Sequence, residues 1–86
     1  MIVLQYAPSF LKQLQKLDKA LAQEAEEKIL LFKNPENHKL LRVHKLKATL
    51  AGKWSFSVNY RYRIVFIWLS KNEAALLRIG DHEVYE

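Results

Sequence analysis

The chain has 86 residues, enough for one domain (residues 1–86) with a modest core. Half of its residues are hydrophobic, which argues against disorder. The absence of cysteine excludes a disulfide framework, a thiolate metal site and a cysteine nucleophile. Fourteen Lys and Arg against nine Asp and Glu leave a net charge of +5, a field that draws polyanions such as nucleic acid or an acidic protein. No apolar run approaches the roughly 20 residues that span a bilayer. The opening Met1-Ile2-Val3-Leu4-Gln5 carries no basic leader or cleavage signal, so no signal peptide and a cytoplasmic location are expected.

In chain order, Ile2 to Tyr6 reads as a short strand. Pro8 and Ser9 mark a helix entry, with Pro8 in the first turn or Ser9 as cap. Phe10, Leu14, Leu17 and Leu21 recur at helical spacing and predict one apolar stripe. Asp18 is a cap for a second helix beginning at Lys19-Ala20, whose stripe is Ala22, Ala25, Ile29 and Phe32. Glu24, Glu26 and Glu27 are expected near its positive end, and Asn34-Pro35 stops it.

Residues 35–52 read as a polar, basic connection that carries Arg42, His44, Lys45 and Lys47. Trp54, Phe56 and Val58 then alternate with Ser55, Ser57 and Asn59, the pattern of a half-buried strand. Asn59-Tyr60-Arg61 is a turn. Tyr62 to Leu69 is nearly all apolar or β-branched and predicts a central strand covered on both faces. Lys71-Asn72-Glu73 turns the chain into a last strand over Ala74 to Ile79, which Gly80-Asp81 breaks before a short segment carrying His82 and Tyr85. The sum is an α+β domain: an N-terminal strand, a two-helix hairpin, then a three-stranded antiparallel meander in one sheet, β-α-α-β-β-β.

Two imidazoles and an arginine among these strands are the groups that metal-free RNA cleavage needs. His44 and His82 offer a base and an acid, and an imidazole of ordinary pKa near 6.5 can serve as either at neutral pH. Arg63, among apolar neighbours, needs a carboxylate, solvent or a ligand for its guanidinium. It is therefore either half of an ion pair or a fork for a phosphate. Tyr85 can stack on a base, donate its hydroxyl to a phosphate, or close the edge of the core. Lys45, Lys47, Lys53 and Arg42 are candidate RNA contacts, with Arg61 and Arg78 as weaker ones, and His38 reads as solvated surface. The three histidines lack zinc spacing, two glycines cannot build a phosphate loop, and Ser55 and Ser57 sit in a strand rather than in the sharp turn that a serine nucleophile needs.

The wording His44-x-Leu46-Lys47, Leu50-x-Gly52-x-Trp54-Ser55, Tyr62-Arg63-Ile64-Val65-Phe66 and Arg78-x-Gly80-x-His82-x-x-Tyr85 resembles the RelE/ParE superfamily of bacterial type II toxins over essentially the whole chain. Within it the likeness is greatest to the YoeB- and YafQ-like branches. The resemblance implies a ribosome-dependent endoribonuclease that cuts mRNA in the ribosomal A site without metal or cofactor. It makes His44 the general base, Arg63 the phosphate fork and His82 the general acid. It also implies a cognate antitoxin as partner, beside the ribosome with its mRNA. Two alternatives are a ParE-like toxin that inhibits gyrase without nuclease activity, and an inactive toxin fold that only binds a partner.

Overall fold

The computed structural model describes residues 1–47 and 52–81. The elements are β1 (Val3–Tyr6), α1 (Pro8–Lys16), α2 (Lys19–Phe32), a single 3-10 turn (Pro35–Asn37), β2 (His44–Lys45), β3 (Trp54–Ser57), β4 (Tyr62–Ser70) and β5 (Glu73–Asp81). The domain is α+β, as the sequence predicts. Among the described residues the sheet has five strands in the order β1-β5-β4-β3-β2, so β1 lies beside β5. β1 runs parallel to β5, and the other pairs are antiparallel.

Each helix boundary has a local cause. Pro8 opens α1 in its first turn, where its missing N–H costs nothing, and no side chain caps that end. Asp18 caps α2 by accepting from the Leu21 N–H at 2.9 Å. Leu17 terminates α1 as its C-cap, so the expected stripe from Phe10 to Leu21 is divided between two helices. The first turn of α2 holds no acid; Glu24, Glu26 and Glu27 lie mid-helix. Glu24 instead accepts from the Asn59 side chain at 2.7 Å, which ties α2 to the β3–β4 turn.

Both helices cover one face of the sheet. Phe10 from α1 and Ala25, Ile29 and Phe32 from α2 form one core with Phe56, Ile64, Phe66, Ala74, Leu76 and Ile79. Phe32 is its centre: its ring stacks on Phe56 at 4.4 Å and meets Phe66 edge-on at 4.8 Å. Burying such a ring stabilises by roughly 3 kcal/mol.

His38 is not a solvated residue. Its ring stacks on Phe32 at 4.8 Å, and its Nε2 lies 2.8 Å from the Phe32 carbonyl. A carbonyl only accepts, so Nε2 carries the proton. Asn37 donates to the preceding carbonyl, that of Leu31, at 2.9 Å. The two side chains thus satisfy carbonyls that the end of α2 leaves without helical partners.

Candidate active site

The face of the sheet away from the helices is lined by the other parity of residues. Cross-strand partners share a face. One row is His44, Ser55, Val65 and Arg78; the next is Ser57, Arg63 and Gly80. The sequence-predicted base, fork and one cationic contact therefore stand on one surface, drawn from β2, β4 and β5. Leu46 covers Val65 there in a two-residue apolar cluster, so the second face of β4 is only partly covered.

His44 lies in a strand rather than in a loop. β2 is only two residues long, too short to leave an alternation in the sequence, and it forms because β3 offers it an edge. The Leu46 N–H continues the ladder by donating to the Lys53 carbonyl at 2.9 Å. Upstream, the Val43 N–H donates to the His38 carbonyl and the Arg42 N–H to that of Lys39, with Arg42 at a φ of 56°. That pairing is a Schellman turn with arginine where glycine is usual. It directs the Arg42 carbonyl at the imidazole: His44 Nδ1 donates to it at 2.9 Å. Neutral His44 is thereby held as the Nδ1–H tautomer, and its Nε2 lone pair is left to accept a proton.

Arg63 makes no ion pair among the described residues, and its Nη1 is buried without a hydrogen-bond partner. An unsatisfied guanidinium nitrogen is costly, and it accounts for itself only if something else supplies an acceptor. Ser55, fully buried on the same face, also holds its Oγ without a partner. Strands lie about 4.8 Å apart and rise about 3.3 Å per residue, so His44 on β2 and Arg63 on β4, two strands over and two residues along, are separated at the backbone by about 12 Å. That gap can hold a phosphodiester between imidazole and guanidinium.

The remaining basic residues are distributed unevenly. Arg78 is exposed on the same face. Lys53, opposite Leu46 in the ladder, shares it. Lys45 is in register with Trp54 and, through it, Phe66, and so faces the helix side. Arg61 is paired with Asp81, Nε to Oδ2 at 3.0 Å, with its guanidinium over the Tyr62 ring. Arg42 and Lys47 are exposed. β5 does not break at Gly80-Asp81 but continues through both, because Tyr62 and Arg63 pair with them. His82 and Tyr85 lie outside the described residues.

Among the described residues no cluster of three His, Asp or Glu side chains converges on a point where a metal could sit. Among the described residues no helix is long and apolar enough to cross a membrane. Burial raises the pKa of the Tyr6 hydroxyl, and the negative charge of Glu26 adds to the rise.

A small basic α+β domain with a cationic, imidazole-bearing open sheet face is the class these features define. No family model matches the chain, and no curated protein does. Solved structures do match along nearly its full length. YoeB in its complex with YefM from Staphylococcus aureus is 17% identical with a TM-score of 0.71, over 95% of this chain and 98% of that one. The RelBE2 toxin-antitoxin complex from Mycobacterium tuberculosis is 17% identical with a TM-score of 0.69, over 93% and 96%. The H87Q mutant of YafQ from E. coli is 15% identical with a TM-score of 0.69, over 98% and 97%. The chain shares the fold of these YoeB, RelBE2 and YafQ structures.

Proposed function

We propose that this chain is the toxin of a type II toxin-antitoxin system, acting as a metal-independent, ribosome-dependent mRNA endoribonuclease. The observation that carries the reading is a half-buried Arg63, without an ion pair among the described residues, on the same sheet face as a histidine whose Nδ1 is tied to a backbone carbonyl.

In this mechanism His44 Nε2 takes the proton from the ribose 2′-hydroxyl. The freed oxygen attacks the adjacent phosphorus. Arg63 holds the phosphate and the charge that builds on its oxygens in the transition state. His82, two residues after the Gly80 that stands opposite Arg63, protonates the departing 5′-oxygen. The products carry a 2′,3′-cyclic phosphate and a 5′-hydroxyl. Tyr85 joins the site by stacking or by hydrogen bonding. Lys53, Arg78, Arg42 and Lys47 contact RNA, and Arg61 does so only by sharing its charge with Asp81. Lys45, on the other face, contributes to the general field or touches ribosomal RNA rather than the reacting strand.

The partner that would silence this site is an antitoxin, and the YoeB and RelBE2 structures above are complexes of that kind. An acidic segment would suit the +5 charge.

The test is 5′-end mapping on an mRNA in a reconstituted translation reaction, with wild type beside His82→Ala. New ends within A-site codons, present with wild type and ribosomes and absent with the variant, are expected. Intact mRNA under normal translation would overturn the nuclease reading and favour a gyrase-directed or inactive toxin fold.

A further inference from the structure

Beside the row of His44, Ser55, Val65 and Arg78, β5 has an irregular edge. Val65 pairs with Arg78 but Phe66 with Leu76, so Leu77 is an extra residue, a bulge. Bulges re-aim neighbouring side chains and favour the margins of sites. β1 stops in register with Leu76, and from there α1 takes over the edge of β5 with side chains instead of strand. The Ala7 N–H donates to the Leu76 carbonyl at 2.9 Å, Ser9 Oγ donates to the Leu77 carbonyl at 3.1 Å, and Gln13 Oε1 accepts from the Ile79 N–H at 2.9 Å. Between them lies an open recess of about 510 Å3 lined by Ser9, Gln13, Leu77 and Arg78.

The hydrogen bonds of the recess determine what it can offer. Gln13 uses its oxygen on the strand, so its amide N–H groups are left to donate. Ser9 uses its proton on the Leu77 carbonyl, so its Oγ lone pairs remain. Arg78 is exposed and has no ion pair among the described residues. Two kinds of donor and one acceptor remain, with a net positive charge and no carboxylate in the lining. This set matches a phosphodiester with its adjoining ribose, whose 2′-hydroxyl both donates and accepts. Arg78 and Arg63 are diagonal neighbours across β4 and β5, about 7–8 Å apart by strand geometry. That separation is comparable to one nucleotide step of an extended strand.

We infer that the recess formed by Ser9, Gln13 and Arg78 binds the phosphate and ribose next to the scissile linkage of single-stranded RNA. The inference rests on the nuclease reading and adds a second subsite to it. Arg78 supplies the charge, Gln13 Nε2 a directed donor, and Ser9 Oγ the acceptor for a ribose hydroxyl. Gln13 also fixes the strand that carries Arg78, so the subsite and the edge of the sheet are built together.

The experiment compares cleavage of ribosome-bound mRNAs with the natural linkages, or with one neutral methylphosphonate at either phosphate flanking the cut. Wild type should lose about tenfold in rate with one of the two modified messages, the worth of one charged hydrogen bond. Arg78→Ala should cut the natural message about tenfold more slowly and be indifferent to that same modification. Gln13→Glu keeps the oxygen for the Ile79 N–H but places a carboxylate in the recess. It should slow the natural message and be relieved by the methylphosphonate. Equal sensitivity of wild type and Arg78→Ala at both positions would overturn the subsite while leaving the nuclease intact. Failure of wild type to cut the natural message would overturn the nuclease reading, and the subsite with it.

Discussion

His44 Nδ1 is hydrogen-bonded at 2.9 Å to the carbonyl of Arg42, a residue held at a φ of 56°. The orientation of the proposed base is thus set by a left-handed turn two residues upstream. The imidazole itself is exposed, so its removal should cost chemistry and not folding. His44→Ala is expected to slow mRNA cleavage by about 10²–10⁴-fold. Its thermal midpoint should stay at the wild-type value. A variant that cuts normally would remove His44 from the mechanism.

Arg42→Gly separates the turn from its side chain. A non-glycine residue in the left-handed region costs about 1–2 kcal/mol, so the glycine variant should gain about 1 kcal/mol. For a domain of this size that raises the melting temperature by about 5 °C. The carbonyl that orients His44 is kept. Cleavage lost in this more stable variant would therefore measure the RNA contact of the Arg42 guanidinium alone.

Arg63→Met should lose activity without losing stability. The methionine keeps apolar volume and deletes the buried nitrogen that has no partner. Denaturant midpoints at or above wild type are expected, together with a rate about 10²–10³-fold lower, the scale of losing one transition-state donor. A destabilised variant would mean that the guanidinium serves the fold, as half of an ion pair would.

His38→Ala should show the opposite signature. It removes a stacked ring and the N–H that satisfies the Phe32 carbonyl, and it opens the aromatic core beside Phe56 and Trp68. A loss of about 2 kcal/mol in denaturant unfolding is expected. Cleavage at a temperature where the variant remains folded should be near normal, because His38 lies on the helix side of the sheet.

Tyr6 gives an alkaline prediction. Its pKa is raised in the folded state by burial first and by Glu26 second, above an ordinary value of 10.0. The folded protein thus retains a proton that the unfolded chain releases. The stability that Tyr6 contributes is complete below pH 10 and declines as pH rises through the folded value. Tyr6→Phe should flatten the fall in stability above pH 10, as measured by urea unfolding at fixed pH steps. An unchanged slope would show that Tyr6 is equally acidic in both states.

The sequence by itself determined the α+β class, the N-terminal strand, both helices, and the strands from Trp54 onward. These depend on periodicity and on caps, which act between near neighbours: Pro8, Asp18, Asn34-Pro35 and the alternation around Phe56. It also singled out Arg63, because a polar group among apolar neighbours is visible without coordinates, whereas His44, read in a polar connection, gained its role from the family resemblance. Only the tertiary structure decided what depends on distant partners. β2 exists because β3 presents an edge, Gly80 and Asp81 remain strand because Tyr62 and Arg63 pair with them, and β1 lies beside β5. The burial of His38 against Phe32 and the opposite orientations of His44 and Lys45 were likewise invisible to local rules. The recess at Ser9, Gln13 and Arg78 joins residues more than 60 positions apart, through a bulge that no composition signals. Local preference fixes which elements form; registry between strands fixes which side chains share a face, and the site depends on that sharing.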